Sequence, residues 1–454
     1  IRSCLVGSEM CIRDRFLYKL VSIVSESFKK AYSELKHAEE FIIETLKQEE
    51  KNFSKTIYEG NKLLLEEIKK CKTKNFPAEL VFKLYDTYGF PVDLTEIILK
   101  RENFTVDQNQ LDKFFKEQKK KSKKTWSGSG ETSKSFFFSK LQEKFLPTDF
   151  VGYQTHYQNS KLLAIIKDEK FLKKNPKDKD CLAIFDSTPF YAESGGQIGD
   201  TGFVRINQRK AFEILDTQKV DGNIFLHTLK TMGGEELVVD RKYDLEINNQ
   251  RRKKITNNHS ATHLLHESLR RVLGKHVNQR GSLVAKDKLR FDFTNPKPLH
   301  ENEKKEVENI VNKSILDNLE IKVLKLPLKQ AFESGAIGLF GEKYPEIVRV
   351  VKMEGKNESE NFFSSELCGG THVLSTGEIG SFKIISESSV SSGIRRIEAI
   401  TGDNVLKRID HSENLLKKIS ETLKTNNENI IEKINTLKDE IKKIKSNNTS
   451  SFEN

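Results

Sequence analysis

Two short pairs of metal-grade side chains, His259-x-x-x-His263 and Cys368-Gly-Gly-Thr-His372, constrain the fold more than any other feature of the chain. In a helix, residues four apart share a face and sit about 6 Å apart along the axis. Two imidazoles held that way can take two corners of a tetrahedron, and a Cys-x-x-x-His pair can supply the other two. The resulting set of three nitrogens and one sulfur suits zinc better than any other abundant divalent ion. A lone His-x-x-x-His arises by chance on helix surfaces, whereas two matched pairs, one containing Cys and Gly-Gly, do not. One ion on all four requires a distant loop to return to the face of the helix that bears His259 and His263.

The remaining composition bounds what surrounds such a site. A chain of 454 residues has room for roughly two to four domains of about 100–200 residues each. With 36% apolar and 31% charged residues, a core can form, but the surface must be heavily charged and rich in solvated helices. Lys plus Arg number 77 against 66 Asp plus Glu, and the resulting +11 suits a polyanionic partner such as nucleic acid. No run of about 18 apolar residues offers a membrane span, and no basic–apolar–small-residue leader marks secretion. The five cysteines are an odd number without repeating spacing. The expected setting is therefore reducing and cytoplasmic, where Cys368 stays available as a thiolate and Cys71 and Cys181 are core thiols.

Residues 1–14 show no periodicity that continues into the residues after them and read as a disordered or foreign leader. From Phe16 to Lys74 the pattern is helical. Leu17, Leu20, Val21 and Val24 form one stripe, Phe41, Ile42, Thr45, Leu46 and Glu49 suggest another, and Leu63, Leu64, Ile68 and Cys71 a third helix after a break at Gly60-Asn61. Leu80–Tyr88 is punctuated by Gly89-Phe90-Pro91, and Asp93 offers a cap for a helix over Leu94–Lys100. The basic Lys113–Lys124 segment reads as a solvated helix end, and Ser127–Gly130 as a flexible joint. Short β-rich runs come next, at Leu162–Ile166, Leu182–Phe185, Phe203–Ile206, Ile224–Leu226 and Leu237–Val239, a spacing that predicts a small antiparallel barrel or sandwich. The loop Tyr191–Asp200 between them is too polar to count as core. His259–Leu273 and Glu301–Asn318 read as helices, Val348–Val351 and Phe382–Ser386 as strands. Arg290 and Asp292 alternate with Phe291 and Phe293 on one strand face, to serve a site or to form a surface ion pair. After Asn404, apolar residues ending in Ile430, Ile434, Leu437, Ile441 and Ile444 keep the rhythm of a coiled coil, and the last dozen residues read as disordered.

Several of these segments, in this order, resemble the alanyl-tRNA synthetase family. They are Leu84–Thr95 (LYDTYGFPVDLT), Pro189–Asp200 (PFYAESGGQIGD), Asn258–His266 (NHSATHLLH), Gln279–Leu283 (QRGSL), Cys368–His372 (CGGTH) and Gly393–Ala399 (GIRRIEA). Threonyl-tRNA synthetase editing domains also pair His-x-x-x-His with Cys-x-x-x-His, but the Tyr85–Thr95 and Glu193–Asp200 motifs favour the alanine family. The resemblance runs from about Arg15 into the C-terminal heptads. The family's ATP- and Mg²⁺-dependent aminoacylation domain, the arginine-rich helix of its tRNA-recognition domain and its C-terminal globular domain have no counterpart here, so an internal piece not competent for aminoacylation is expected.

The expected architecture is a multidomain α+β chain. After the leader come a helical tRNA-recognition segment (15–125), a linker (126–148), a small antiparallel β-barrel (149–245), an α+β zinc-containing editing domain (246–402) and a truncated C-terminal coiled-coil helix (403–454). The activity the resemblance implies is hydrolytic editing of seryl- and glycyl-tRNA(Ala) with one Zn²⁺ held by His259, His263, Cys368 and His372. A pocket shaped for alanine excludes glycine or one added hydroxyl poorly, and a second hydrolytic sieve is one solution. Four protein ligands close the ion's shell, which suits an organising role over generation of the nucleophile. Gln279 carries over as the pocket residue that contacts the aminoacyl group or holds water. Asp93 carries over as a reader of the acceptor stem, and Arg395 with Arg396 either as holders of the terminal phosphate or as solvated or ion-paired groups. His266 shares the face of His259 and His263 but falls outside the ligand set, as an outer partner. The implied partner is tRNA(Ala), with self-association through the coil. A free-standing trans-editing hydrolase and a non-catalytic, zinc-stabilised RNA-binding module are the competing readings.

Overall fold

The computed structural model describes residues 15–32, 34–71, 73–125, 136–139, 141–176, 180–338, 344–354 and 363–450. The leader at 1–14 and the joint at Ser127–Gly130 lie outside them. The chain divides into two compact units. One holds the chain up to Lys144 with Thr294–Pro298 and Ser389–Arg395; the other holds Phe145–Phe293, Leu299–Ser388 and Arg396 onward.

The first unit is helical. Helix α1 (Leu17–Phe28) packs on the long α2 (Glu34–Lys70), followed by α3 (Ala78–Tyr88), α4 (Val92–Arg101) and α5 (Gln108–Thr125). Its core gathers Leu64, Phe76, Val81, Leu84, Phe90 and Leu99. The expected break at Gly60 does not occur, because α2 runs through it. A Cβ at Gly60 would overlap the Phe90 ring, so this glycine allows close packing and does not end a helix. Gly89 does end one, closing α3 at φ +69°, where a side chain would be strained. Asp93 is not a cap: Pro91, already fixed at φ −60°, opens α4 and leaves Asp93 exposed in its first turn. There its carboxylate complements the helix dipole.

The second unit opens on a closed six-stranded antiparallel barrel. Its elements are β1 (Tyr157–Lys167), the short hairpin partner β2 (Lys170–Leu172), β3 (Cys181–Phe185), β4 (Gly202–Ile206), β5 (Arg209–Val220), β6 (Ile224–Thr231) and β7 (Lys242–Ile247). Around the barrel the order is β1-β3-β6-β5-β4-β7, and β7 pairs back onto β1 through Tyr243 and Ser160. Closure removes the exposed edges that a sheet this small would otherwise carry. Leu162, Phe185, Phe190, Phe212, Leu229 and Leu245 fill the interior. The run Leu237–Val239 is not a strand: Val238 makes one isolated bridge to Lys174, while Leu237 turns into the core. The loop Tyr191–Asp200 is packed at both ends, with Tyr191, Gln197 and Asp200 buried and Ser194 and Gly195 exposed.

An α+β layer follows the barrel. Helix α6 (Asn249–Leu273) and α7 (Glu301–Leu316) pack together. Around them lie a four-stranded sheet and a three-stranded one. The first is ordered β8 (Gln279–Val284), β9 (Leu289–Thr294), β14 (Ile394–Thr401) and β13 (Phe382–Ser391). The second comprises β10 (Ile321–Pro327), β11 (Ile347–Met353) and β12 (Ser364–Leu367), all antiparallel. Leu264, Leu265, Leu269, Phe291, Phe293, Val311 and Ile397 share the core. The C-terminal region is two helices, α8 (Asp403–Leu423) and α9 (Ile430–Ser450), not one coiled-coil helix. Lys424 turns left-handed at φ 50°, and the Asn426 side chain caps the next turn at Asn429 N.

Candidate metal centre

Helix α6 begins ten residues before the first histidine of the site, where the Asn248 side chain accepts from Arg251 N at 3.0 Å. Its middle is buried although it is polar, and most polar groups there have a partner, Asn257 Oδ1, His263 Nε2 and His266 Nε2 excepted. Asn258 donates to Ala285 O at 2.7 Å and accepts from Thr401 Oγ1 at 2.7 Å, while Thr262 and Ser268 bond back to their own helix. One turn into the helix, buried Arg252 reaches Asp200 (Nε to Oδ2, 2.8 Å), Gly152 O and Pro189 O (2.9 Å each). That ion pair fixes the helix to the loop 191–200.

On this helix His259 and His263 lie parallel with ring centroids 5.4 Å apart, and His372 sits 4.4 Å from the first and 5.0 Å from the second. One donor atom from each of His259, His263, Cys368 and His372 lies within 4.8 Å of all the others. Cys368 Sγ is 3.4 Å from His259 Nε2 and 3.3 Å from His372 Nε2. A tetrahedral ion with ordinary zinc–sulfur and zinc–nitrogen bonds keeps such neighbours about 3.5 Å apart. The donor set and its spacing fit that ion.

The outward nitrogens are all occupied. His259 Nδ1 faces Gln197 Oε1 at 2.7 Å, His263 Nδ1 faces Glu366 Oε2 at 2.8 Å, and His372 Nδ1 faces Ser260 Oγ at 3.2 Å. With Nδ1 directed outward to the amide and the carboxylate, His259 and His263 aim Nε2 at the cluster. His263 Nε2 is buried with no hydrogen-bond partner, an orphan that a metal bond would satisfy. The thiolate is held similarly: Gly370 N donates to Cys368 Sγ at 3.4 Å and Arg349 donates to Cys368 O at 2.7 Å. Tyr153 donates to Gly369 O. The two glycines of the loop differ. A Cβ at Gly370 would fall on the His259 ring and 2.9 Å from Gln197 Oε1, whereas one at Gly369 meets open space.

The charges of the cluster follow from its burial and its neighbours. Burial would raise the Cys368 thiol, but His259, His372 and His263 around it hold it well below its usual value. Burial also disfavours a charged His263, yet Glu366 and Cys368 outweigh it and lift its pKa to about 10. His372, desolvated and beside His259, falls to about 3. The pocket is thus built for one thiolate, one carboxylate and compensating positive charge.

A cavity of about 500 Å³ opens beside the donors, walled by His259, His263, His266, Cys368, Gln279 and Tyr191 among others. Gln279 stands half-buried on its wall, its amide donating to Ser282 Oγ at 3.1 Å. His266 is not in the cluster: its Nδ1 is 3.0 Å from Glu366 Oε1. Arg396 does not line the cavity; it makes a two-pronged pair with Asp292, 2.7 Å at each oxygen. Arg290 stands 3.9 Å from the same carboxylate. Arg395 borders a different depression with Asn295, Pro296 and Gly393. Asp93 belongs to the helical unit. Sequence reasoning missed Glu366, Gln197 and Ser260. Glu366 carried a readable signal, since it precedes Cys368 by two and alternation points both the same way.

Two family models match the chain. The family model for class II (A) tRNA synthetases matches residues 1–251, and that for the threonyl and alanyl tRNA synthetase second additional domain matches 348–398, which contains Glu366, Cys368 and His372. The alanine–tRNA ligase of Parvibaculum lavamentivorans is 41% identical over 435 residues, covering 95% of this chain and 49% of that protein. Those of Rickettsia bellii (43% over 427 residues; 94% and 48%) and Campylobacter jejuni (42% over 439; 97% and 50%) are similar. The chain spans about half the length of these relatives. The chain belongs to the class II (A) tRNA synthetase family, that of the alanyl-tRNA synthetases.

Proposed function

We propose that His259, His263, Cys368 and His372 hold one zinc ion, and that the adjoining cavity hydrolyses the ester of seryl- or glycyl-tRNA(Ala). The observation that carries this reading is the shared wall: His259, His263 and Cys368 face the same cavity of about 500 Å³ as Gln279. When bound, zinc supplies a fixed positive charge that organises the pocket and polarises an adjacent oxygen. The chain's own residues do the rest. Gln279 offers its amide to the aminoacyl group or to a water, and Ser282 fixes its orientation. The substrate is an activated ester, so a positioned water suffices and no covalent enzyme intermediate is needed. A purely structural zinc knot needs no open cavity beside its donors, so the space of about 500 Å³ here favours a hydrolase over an RNA-binding module.

In this reading residues 15–125 are the tRNA-recognition segment, 149–245 the barrel and 246–402 the editing domain. Asp93, Arg395 and Arg396 serve the acceptor stem and 3′ end of tRNA(Ala) in the cytoplasm. The exposed Leu406, Ile409, Leu415, Leu416 and Ile419 of α8 serve self-association. The test is deacylation of seryl-tRNA(Ala) by the purified chain, with zinc content measured alongside. His263→Ala should lose both while the barrel stays folded by circular dichroism. Full-rate hydrolysis by metal-free protein would overturn the metal's part, and zinc-loaded protein that binds tRNA without hydrolysing it would establish the RNA-binding module instead.

A further inference from the structure

Glu366 is the one buried carboxylate, among the described residues, that touches the cluster without belonging to it, and both of its oxygens are committed. Oε2 takes the Nδ1–H of His263 at 2.8 Å and Oε1 takes that of His266 at 3.0 Å. Ser364 Oγ adds a longer contact to Oε1 at 3.4 Å. The histidines are three residues apart on one face of α6, while the carboxylate comes from β12, so it bridges helix and strand. All three side chains are buried. A carboxylate bonded at both oxygens cannot rotate, so the Oε2–His263 bond has one geometry and His263 one tautomer. The same carboxylate holds His266 by Nδ1, and His266 falls outside the group of four donors.

We propose that Glu366 is the positioning residue of the metal centre and that His266 is its anchor: the pair holds the His263 ring with Nδ1 on the carboxylate and Nε2 aimed at the ion. This rests on the zinc reading above. Outer-shell carboxylates of this kind are worth about 10- to 100-fold in metal affinity. In Glu366→Gln one oxygen becomes an amide donor and the ligand loses its charged partner, so affinity falls. In His266→Leu the carboxylate keeps His263 but loses the bond that fixes its rotamer, giving a smaller loss. His266→Gln, whose amide can still donate to Oε1, restores most of it.

The experiment is zinc titration of the full chain against a chromophoric chelator, with the visible spectrum of the Co²⁺-substituted protein as a second readout. Wild type should show the intense bands of a four-coordinate site with one thiolate. Glu366→Gln should bind zinc about 10- to 100-fold more weakly and shift those bands, which a merely structural role would not do. Zinc affinity within about threefold of wild type together with an unchanged cobalt spectrum would overturn the proposal. Should Glu366→Gln show no cooperative melt without metal, the His266 pair decides: equal zinc affinity in His266→Leu, His266→Gln and wild type overturns it. Failure of wild type itself to bind zinc sinks the metal reading, and this inference with it. That outcome is distinct from a wild type that binds and a Glu366→Gln that matches it.

Discussion

Gly370→Ala, set against Gly369→Ala, probes the site with a single methyl group. The added carbon at 370 lands on the His259 ring and 2.9 Å from Gln197 Oε1, all inside the 3.0 Å that real Cβ atoms keep. Neither neighbour can yield cheaply. His259 is held at Nδ1 by Gln197, and Gln197, fully buried, also donates to Thr371 Oγ1 at 2.9 Å and accepts from Thr371 N at 2.9 Å. Overpacking of this kind costs about 1–3 kcal/mol, and a lost hydrogen bond adds about 1, for roughly 2–4 kcal/mol in all. If that falls on metal binding, zinc affinity drops by roughly 30- to 700-fold, at 1.4 kcal/mol per factor of ten. Gly369→Ala meets nothing within 4 Å and should leave affinity and melting temperature unchanged. Chelator-competition titration and thermal unfolding of both variants make the comparison. Equal zinc affinity in the two alanine variants, in either direction, would refute the packing argument.

Other perturbations reach different parts of the account. Arg252→Ala strands buried Asp200 and should cost about 3–5 kcal/mol in denaturant unfolding; a loss below about 1 kcal/mol would mean the pair does not tie loop to helix. Gln279→Ala should slow seryl-tRNA(Ala) hydrolysis by about 10- to 100-fold, the worth of one charge-assisted hydrogen bond, with zinc content unchanged; an unchanged rate removes Gln279 from the chemistry. Burial of His227 in the barrel lowers its pKa from 6.5 to about 4. The unfolded state therefore binds more protons between those values, and stability present above pH 6.5 is lost as pH falls toward 4, by at most about 3 kcal/mol. His227→Gln should flatten that slope in unfolding measured across this window, and an undiminished slope would assign it to other groups.

The sequence revealed the four donors because helical spacing and the Cys-Gly-Gly-Thr-His loop are local signals. It concealed what orients them. Gln197 lies in a loop whose polarity reads as surface, yet Gln197 is buried because it finds partners in His259 and Thr371, far from it in the chain. Gly60 reads as a helix break, since a glycine kept for close approach to Phe90 carries no local mark of that purpose. The strand Arg209–Val220 escapes a sequence reading because its charged residues fall on both phases of the alternation and register shifts interrupt its pairing with both neighbours. The end of α8 at Lys424 likewise comes without the Gly or Pro that usually announces a stop. Periodicity within one element was legible, and partnership between elements was not.

X-ray absorption at the zinc edge of the purified chain addresses the central assignment most directly. One zinc per chain is expected in a four-coordinate shell of one sulfur at about 2.3 Å and three nitrogens at about 2.0–2.1 Å, with the sulfur lost in Cys368→Ala. A shell dominated by oxygen, or no zinc retained after purification in its presence, would contradict it.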